Sequence, residues 1–498
     1  MLTAVHEKIS NPATMRAIGF CVSIEHANFM STKFNENGLK AIAVTSKTSR
    51  EDRDQSLADL RDGTINVIFA VDIFNEGVDI PEIDTVLMLR PTESATIFLQ
   101  QLGRGLRKTD SKQVLTVLDF VGHQHANFRF DQRFGKLLGR TRRQIENDVE
   151  AGFPFLPAGC QINLDTVSRE IVLANIKNSV PATFKKRVAE LRSIGDVGLS
   201  EFLSEAMIEL GDVYASNNYW TKTRRRAGFP VGELLDGEAK LGRGLGRLIH
   251  MDDLPRLTKL ESILRNENPP SSNGLSKSDI AQLNMLLLTL LSPARAQFKS
   301  LDAALLEVWA IPAVRAELIE LIMVLRESVT RVHAPAWENE DCPLHLHATY
   351  SRAEILAAFG VSTVDRPVPS REGVYFHKPT KTDLFFVTMD KSSGTFSQST
   401  RYRDYAISES EFHWESQSAT RIVSETGQRY INQGRGETDV MLFLRESTRF
   451  PNGQTRPFVC AGLADYLRHE GERPIAITWH LRNPLPGAVF ASLRAAVA

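Results

Sequence analysis

The sequence is short of cysteine, of net charge and of long apolar runs. Four cysteines in 498 residues (Cys21, Cys160, Cys342, Cys460) stand far apart, which excludes a disulfide framework and fits a reducing compartment. No run of 18 apolar residues occurs, and the first residues show no charged-then-apolar leader. No membrane partner or secretion address is therefore expected, and the chain is read as cytoplasmic. Lysine and arginine number 59 against 60 acidic residues, a net charge of −1, so any cationic surface must be local. Two further absences are chemical. The phosphate-cradling pattern G-x-x-x-x-G-K-[ST] occurs nowhere, and neither does the dipeptide Asp-Glu. The usual groups for gripping a triphosphate with its Mg2+ are thus missing from these residues.

What the sequence does contain begins with alternation. AIGFCVS after Arg16, LKAIAVT, Asn66–Ala70, Thr85–Leu89 and Val114–Phe120 are short apolar, β-rich runs. Between them lie a helix over Ile24–Asn37, with Phe29, Met30 and Phe34 on its inner face and Gly38 as its stop, and a second opened by Ser49 and ended by Gly63. Met1–Thr14 reads as a linker or a single helical turn. Strands alternating with helices predict an α/β lobe, a parallel sheet wrapped by helices, with its binding loops at the strands' carboxyl ends.

The stretch from Asn66 to Lys108 organises the rest. After the strand Asn66–Ala70 comes a loop rich in acid and glycine, Asp72–Pro81, then the strand Thr85–Leu89 and a helix ending in Gly103-Arg104 and Arg107. Two arginines three apart beside a glycine can present guanidinium forks to a phosphate chain; alone, they could equally cap a helix C-terminus and pair with surface acids. Asn75-Glu76-Gly77-Val78-Asp79-Ile80-Pro81, and Gln100, Gly103, Arg104 and Arg107 in the pattern Q-x-x-G-R-x-x-R, resemble motifs V and VI of superfamily-two helicases. GFCVSIEHANFM resembles motif IV of the same family. The resemblance implies a second RecA-like lobe, with ATP bound against a first lobe that carries the phosphate loop. It makes Arg107 the arginine finger toward the γ-phosphate and Arg104 a contact to phosphate oxygens. It sets Gly77 close to the nucleotide, Asp79 near the ribose, and Gln100 and Gly103 within the coupling motif. Val71 stands where the family usually has threonine for the nucleic-acid backbone.

Beyond this lobe the signals are weaker. His123 and His125 form a His-x-His pair without an accompanying ligand cluster, and Cys342, His345 and His347 lack zinc spacing, so no metal site is expected. Residues 128–148 are basic and helical; Arg140, Arg142 and Arg143 either track a phosphate backbone or form a solvated face. Residues 151–165 read as a hinge with a short strand at Cys160–Leu164. A mostly helical stretch follows, in which Tyr219, Trp220, Arg224 and Arg225 could stack bases and hold phosphates, or bury the aromatic pair before a surface turn. Ser351 and Glu354 form a capping box on a short helix closed by Gly360. From Gly373, runs broken by Gly, Asn, Ser and Pro predict a mostly antiparallel β-rich barrel or sandwich. Trp414 there, with Phe412 and His413, could hold a base or alternate into the core. Asp383, Asp390 and Lys391 only superficially suggest a nuclease strand. REGVYFHKPTKTDLFFVTMDKS, SESEFHWESQS and HEGERPIAITWHL resemble an uncharacterised C-terminal domain fused to helicases of mobile elements or defence systems, frequently with a phospholipase D-like nuclease.

The expected organisation is a second RecA-like lobe over 1–125, a basic helix and hinge over 126–165, a helical accessory region over 166–335 and a β-rich domain over 345–498. The expected function is the C-terminal portion of an ATP-dependent DNA helicase or translocase. ATP and Mg2+ would act only with a first lobe supplied by another chain. Its partners would be nucleic acid, DNA in particular, and that missing lobe or a nuclease subunit. The alternatives are a non-catalytic DNA-binding protein with the lobe as scaffold, or a nuclease acting through the C-terminal domain.

Overall fold

Five four-residue apolar segments pair, all in parallel, in the order β2-β3-β1-β4-β5: β1 (Ala17–Phe20), β2 (Ala41–Val44), β3 (Val67–Ala70), β4 (Thr85–Met88) and β5 (Thr116–Asp119). In the computed structural model the described residues are 1–71, 73, 81–90, 100, 114–120, 130–154, 156, 160–179, 183–292, 298–370, 372–390, 404–435, 438–450 and 453–496. The chain divides into two compact units, Met1–Ala182 with Met207–Glu209, and Thr183–Ala206 with Leu210–Ala498.

In the first unit the sheet is buried on both faces, as parallel sheets require. Ile18, Phe20, Ile68, Val86 and Met88 face one layer, and Ala17, Val67, Phe69 and Leu87 the other. Phe34, from the helix Ile24–Glu36, meets Phe69 edge-on at 4.9 Å. Gly19 makes room for that ring, because a Cβ there would lie 2.5 Å from it. Ser23 caps the helix by accepting from the His26 amide at 3.2 Å. Met30 and Phe34 are buried as expected, but Phe29 is 58% exposed, because it falls outside the stripe that meets the sheet. Ser49 caps the helix Arg50–Asp62, and Gly63 ends it in the left-handed conformation at φ +86°. Residues 1–14 form the helix Leu2–Lys8 and a 3-10 turn at Pro12–Thr14 rather than a linker. The expected strand at Cys160–Leu164 is irregular.

The second unit joins a helical array to a β-sheet. The helix Lys277–Leu291, capped by Ser276 at the Asp279 amide, is buried along most of its surface. It packs against the helix Arg352–Ala358, and Asn284 accepts from the Val364 amide at 2.9 Å. The remaining strands are β6 (Thr349–Tyr350), β7 (Val374–His377), β8 (Thr382–Thr388), β9 (Tyr405–Ala406), β10 (Glu411–Glu415), β11 (Asp439–Arg445), β12 (Phe458–Glu470) and β13 (Ala476–Leu481). They form one mixed sheet in the order β7-β8-β11-β12-β13-β10-β9, with β6 on β12. Only β8 and β11 run parallel among the described pairs. The expected barrel or sandwich is therefore corrected to a single sheet. One reason is that the helix Glu425–Ile431, within the β8-to-β11 connection, sends Tyr430 onto Phe385 and Trp414 where a second sheet would otherwise pack.

Helices and sheet are tied by buried charge. Glu354 and Arg256, both with wholly buried side chains, pair at 2.6 Å, and Glu354 also meets His250 Nε2 at 2.7 Å and the Ser351 amide at 2.6 Å. This completes the capping box expected from Ser351 and Glu354. Asp253 accepts from the Tyr350 hydroxyl at 2.6 Å and lies 2.9 Å from His345 Nδ1. Burial alone would raise the Glu354 pKa, but the charges of His250 and Arg256 and their hydrogen bonds outweigh it and hold the carboxyl far below its ordinary value of 4.5. A group depressed in the folded state contributes stability above its unfolded pKa and loses it as pH falls. Glu354→Gln is expected to cost about 3–5 kcal/mol at pH 7, because Arg256 is left buried without its charge partner. It should also flatten the decline of unfolding free energy with pH below 4.5, as measured by urea titration across pH 3–7.

Candidate nucleotide and nucleic-acid site

The register of the parallel sheet brings two loops to one edge. Phe20 of β1 pairs across to Ala70 of β3 on one side and to Met88 of β4 on the other. Adjacent strands lie about 4.8 Å apart, so the loops following β3 and β4 leave the carboxyl edge at one level, on either side of β1. The N-termini of the helices capped by Ser23 and Ser49 point to the same edge. Val71, the first residue beyond β3, packs into the apolar layer with Phe69 and Leu87 and presents no hydroxyl there. Gly77, Asp79, Gly103, Arg104 and Arg107 lie outside the described residues, as do His123 and His125. Gln100 is described, and it is helical and half-buried.

The basic and aromatic residues proposed to meet nucleic acid are largely engaged within the protein. Arg140 pairs with Asp148, Arg142 is 1% exposed, and only the side chain of Arg143 is well exposed, facing Glu209 at 3.6 Å. Trp220 is 1% exposed and stacks on Phe202 at 4.9 Å, while Tyr219 donates its hydroxyl to Glu238 at 3.2 Å. Neither ring offers a face to a base. Arg224 pairs with Asp196 at 2.7 Å, and Arg225 sends both terminal nitrogens to Glu238, the longer contact at 2.8 Å. Trp414 sits in the sheet core, its ring centroid 4.2 Å from that of Phe385. Trp414, Tyr219 and Trp220 are therefore corrected from recognition to core residues. The acids that fix Arg224 and Arg225 lie in other helices or loops, so spacing around the basic cluster did not point to them. On the suggested nuclease strand, Asp383 is wholly buried and bidentate to Arg429 at 2.6 and 2.9 Å.

A buried acid missed by the sequence reading organises this corner. Glu317, 1% exposed, accepts the Trp220 and Thr221 amides at 2.6 and 2.7 Å and so caps the helix Trp220–Ala227 from a distant helix. Burial pushes its pKa up to about 7 against the pull of these hydrogen bonds. A raised pKa stabilises the fold below the unfolded value and loses that contribution as pH rises through the folded one. Calorimetry of the wild type and Glu317→Gln should differ most in slope between pH 4.5 and 7, the wild type losing roughly 1.4 kcal/mol per pKa unit relative to the variant. Trp220→Ala should cost about 3–5 kcal/mol by emptying the packed site beside Phe202.

Two family matches account for separate parts of the chain. Residues 2–109 match the helicase conserved C-terminal domain, and residues 344–493 match a domain of unknown function, DUF3427. A 51.5 kDa protein of a Lactococcus phage (isolate 7-9) is 34% identical over 123 residues, which cover 25% of this chain and 27% of that protein. The putative ATP-dependent helicase IRC3 of Saccharomyces cerevisiae is 34% identical over 120 residues, covering 24% of this chain and 17% of IRC3. The DNA 3'-5' translocase XPB2 of Sulfurisphaera tokodaii is 37% identical over 90 residues, covering 18% and 20% respectively. The chain thus spans about a quarter or less of the length of these relatives. Among solved structures, the E. coli DEAD-box protein SrmB aligns at 22% identity over 27% of this chain and 76% of its own, with a TM-score of 0.24. The chain therefore carries a helicase conserved C-terminal domain over residues 2–109 and a DUF3427 domain over residues 344–493.

Proposed function

We propose that residues 2–109 act as the arginine-bearing half of a nucleotide-driven motor on nucleic acid, completed by a lobe that supplies a phosphate loop. The observation that carries this is the position of β1 between β3 and β4, because the chain segments bearing both motifs then leave one edge of one sheet. In this reading Arg107 reaches the γ-phosphate of ATP and Arg104 its other oxygens, where a fixed guanidinium fork offsets charge developing in transfer. Gly77 lets backbone approach the nucleotide, Asp79 meets the ribose, and Gln100 with Gly103 couples closure to the nucleic-acid track. Mg2+ would be held by acids of the complementary lobe. Among the described residues no group of three acids, histidines or cysteines is arranged to hold a metal. The track is proposed to be DNA.

A scaffold reading competes, in which the lobe keeps its sheet but hydrolyses nothing in any company. A nuclease reading through the C-terminal domain has less support, since Asp383 spends both carboxylate oxygens on Arg429. Phosphate release separates these. The purified 498-residue chain with ATP, Mg2+ and single-stranded DNA should turn over at background. Adding a recombinant first lobe of a related helicase should raise DNA-stimulated release well above either part alone, and Arg107→Ala should remove at least about 100-fold of that gain. Turnover by the chain alone, or none with any added lobe, would contradict the reading.

A further inference from the structure

Arg352 and Arg445 in the C-terminal domain are two guanidinium groups that form no salt bridge among the described residues. Arg352 lies 4.0 Å from the ring centroid of Phe386 and 5.6 Å from that of Phe458, and Arg445 lies 4.3 Å from the same Phe458 ring. Phe386 and Phe458 are themselves 5% and 2% exposed and meet edge-on at 5.5 Å. The two cations thus share one buried aromatic floor. Among the described residues, neither guanidinium has a carboxylate salt-bridge partner. Arg352 donates to the Glu372 carbonyl; Arg445 donates to Thr388 Oγ1 at 2.9 Å and to the Arg456 carbonyl at 3.2 Å. Glu446, the next residue along from Arg445, is taken by Arg456 and Ser492.

An arginine has five N–H donors, and Arg352 spends one on the protein and Arg445 two. Among the described residues, none of their nitrogens is both buried and without a partner. Burial, and for Arg352 also the repulsion of Arg445, pulls both pKa values down to about 10, with Glu372 only a lesser counterweight at Arg352. Two like charges held together on apolar rings are costly unless an anion joins them. Planar forks with free donors fit the tetrahedral oxygens of a phosphoryl group. The position is also apt. Thr388 and Arg445 are register partners at the carboxyl ends of β8 and β11, the parallel pair of this sheet, where strand ends gather ligand-binding groups.

We propose that Arg352 and Arg445 form a phosphate-binding cleft in the DUF3427 domain that seats the backbone of a nucleic-acid strand. The site stands on its own geometry; only the carrier of the phosphate rests on the motor reading. Fluorescence anisotropy of a labelled 20-mer single-stranded DNA with the full chain, without nucleotide or an added lobe, tests it separately from the phosphate-release experiment. Arg352→Gln should weaken binding on the order of tenfold and lower the slope of log affinity against log salt by about 0.7–1. Arg352→Lys and Arg445→Lys, which keep the charge and lose the fork, should weaken it less, while Arg468→Gln, an exposed cation elsewhere, should leave it unchanged. Sodium phosphate at matched ionic strength identifies the carrier. If the wild type is stabilised by phosphate and Arg352→Gln is not, while oligonucleotide affinity is equal in both, the cleft takes a free phosphoryl compound and the nucleic-acid assignment falls. Folded Arg352→Gln and Arg445→Lys proteins that keep wild-type affinity, salt slope and phosphate response would overturn the proposal, as would a wild type that binds neither.

Discussion

The first unit depends on the pairing of β1 with both β3 and β4. A strand of four buried residues can hold the centre of a sheet only if both its edges are satisfied and both its faces are covered. Gly19 shows how tightly this is drawn. The missing Cβ lets the Phe69 ring lie across β1 and reach Phe34 on the helix above. Because the pairing is in register at Phe20, the loops beyond Ala70 and Met88 are delivered to the same side at the same height. The functional reading follows from that delivery, and the apolar layers below act as the rigid base that binding loops need.

In the second unit the governing constraint is the satisfaction of buried charge. Glu354 holds Arg256, His250 and its own helix start; Glu317 holds two amides of another helix; Asp383 holds Arg429. In each case one carboxylate serves more than one donor, which offsets part of the cost of burying it; only at Glu354 do the partners outweigh burial. Arg352 and Arg445 break the pattern. They lie over aromatic rings with donors to spare and, among the described residues, no salt-bridged acid. These two are the place where a ligand from outside would complete the set.

How much of this was legible in the sequence varied by the range of the contacts. The α/β sheet was readable because strand and helix periods alternate over short distances, and the caps at Ser49 and Ser351 were readable because they act within four residues. Trp220 and Trp414 misled because an aromatic beside cations looks the same in sequence whether it faces solvent or core. What decides is Phe202 and Glu317 for one and Phe385 for the other, all remote along the chain. The single mixed sheet was hidden for a related reason. Strand patterns do not reveal that β8 and β11 pair in parallel across a long connection that, among the described residues, carries β9, β10, the helix Glu425–Ile431 and a 3-10 turn. Arg352 and Arg445 carry no local signature at all, since only the fold brings them to one ring.

The most direct test of the central claim is hydrogen–deuterium exchange on the chain, with and without a complementary first lobe and a non-hydrolysable ATP analogue. The account predicts new protection in peptides covering residues 72–81 and 100–108, together, and none at the opposite edge of the sheet around Gly63–Asn66. Unchanged exchange in both of those peptides, in a mixture where the first lobe itself becomes protected by nucleotide, would contradict a shared nucleotide seat at the carboxyl edge of β1, β3 and β4.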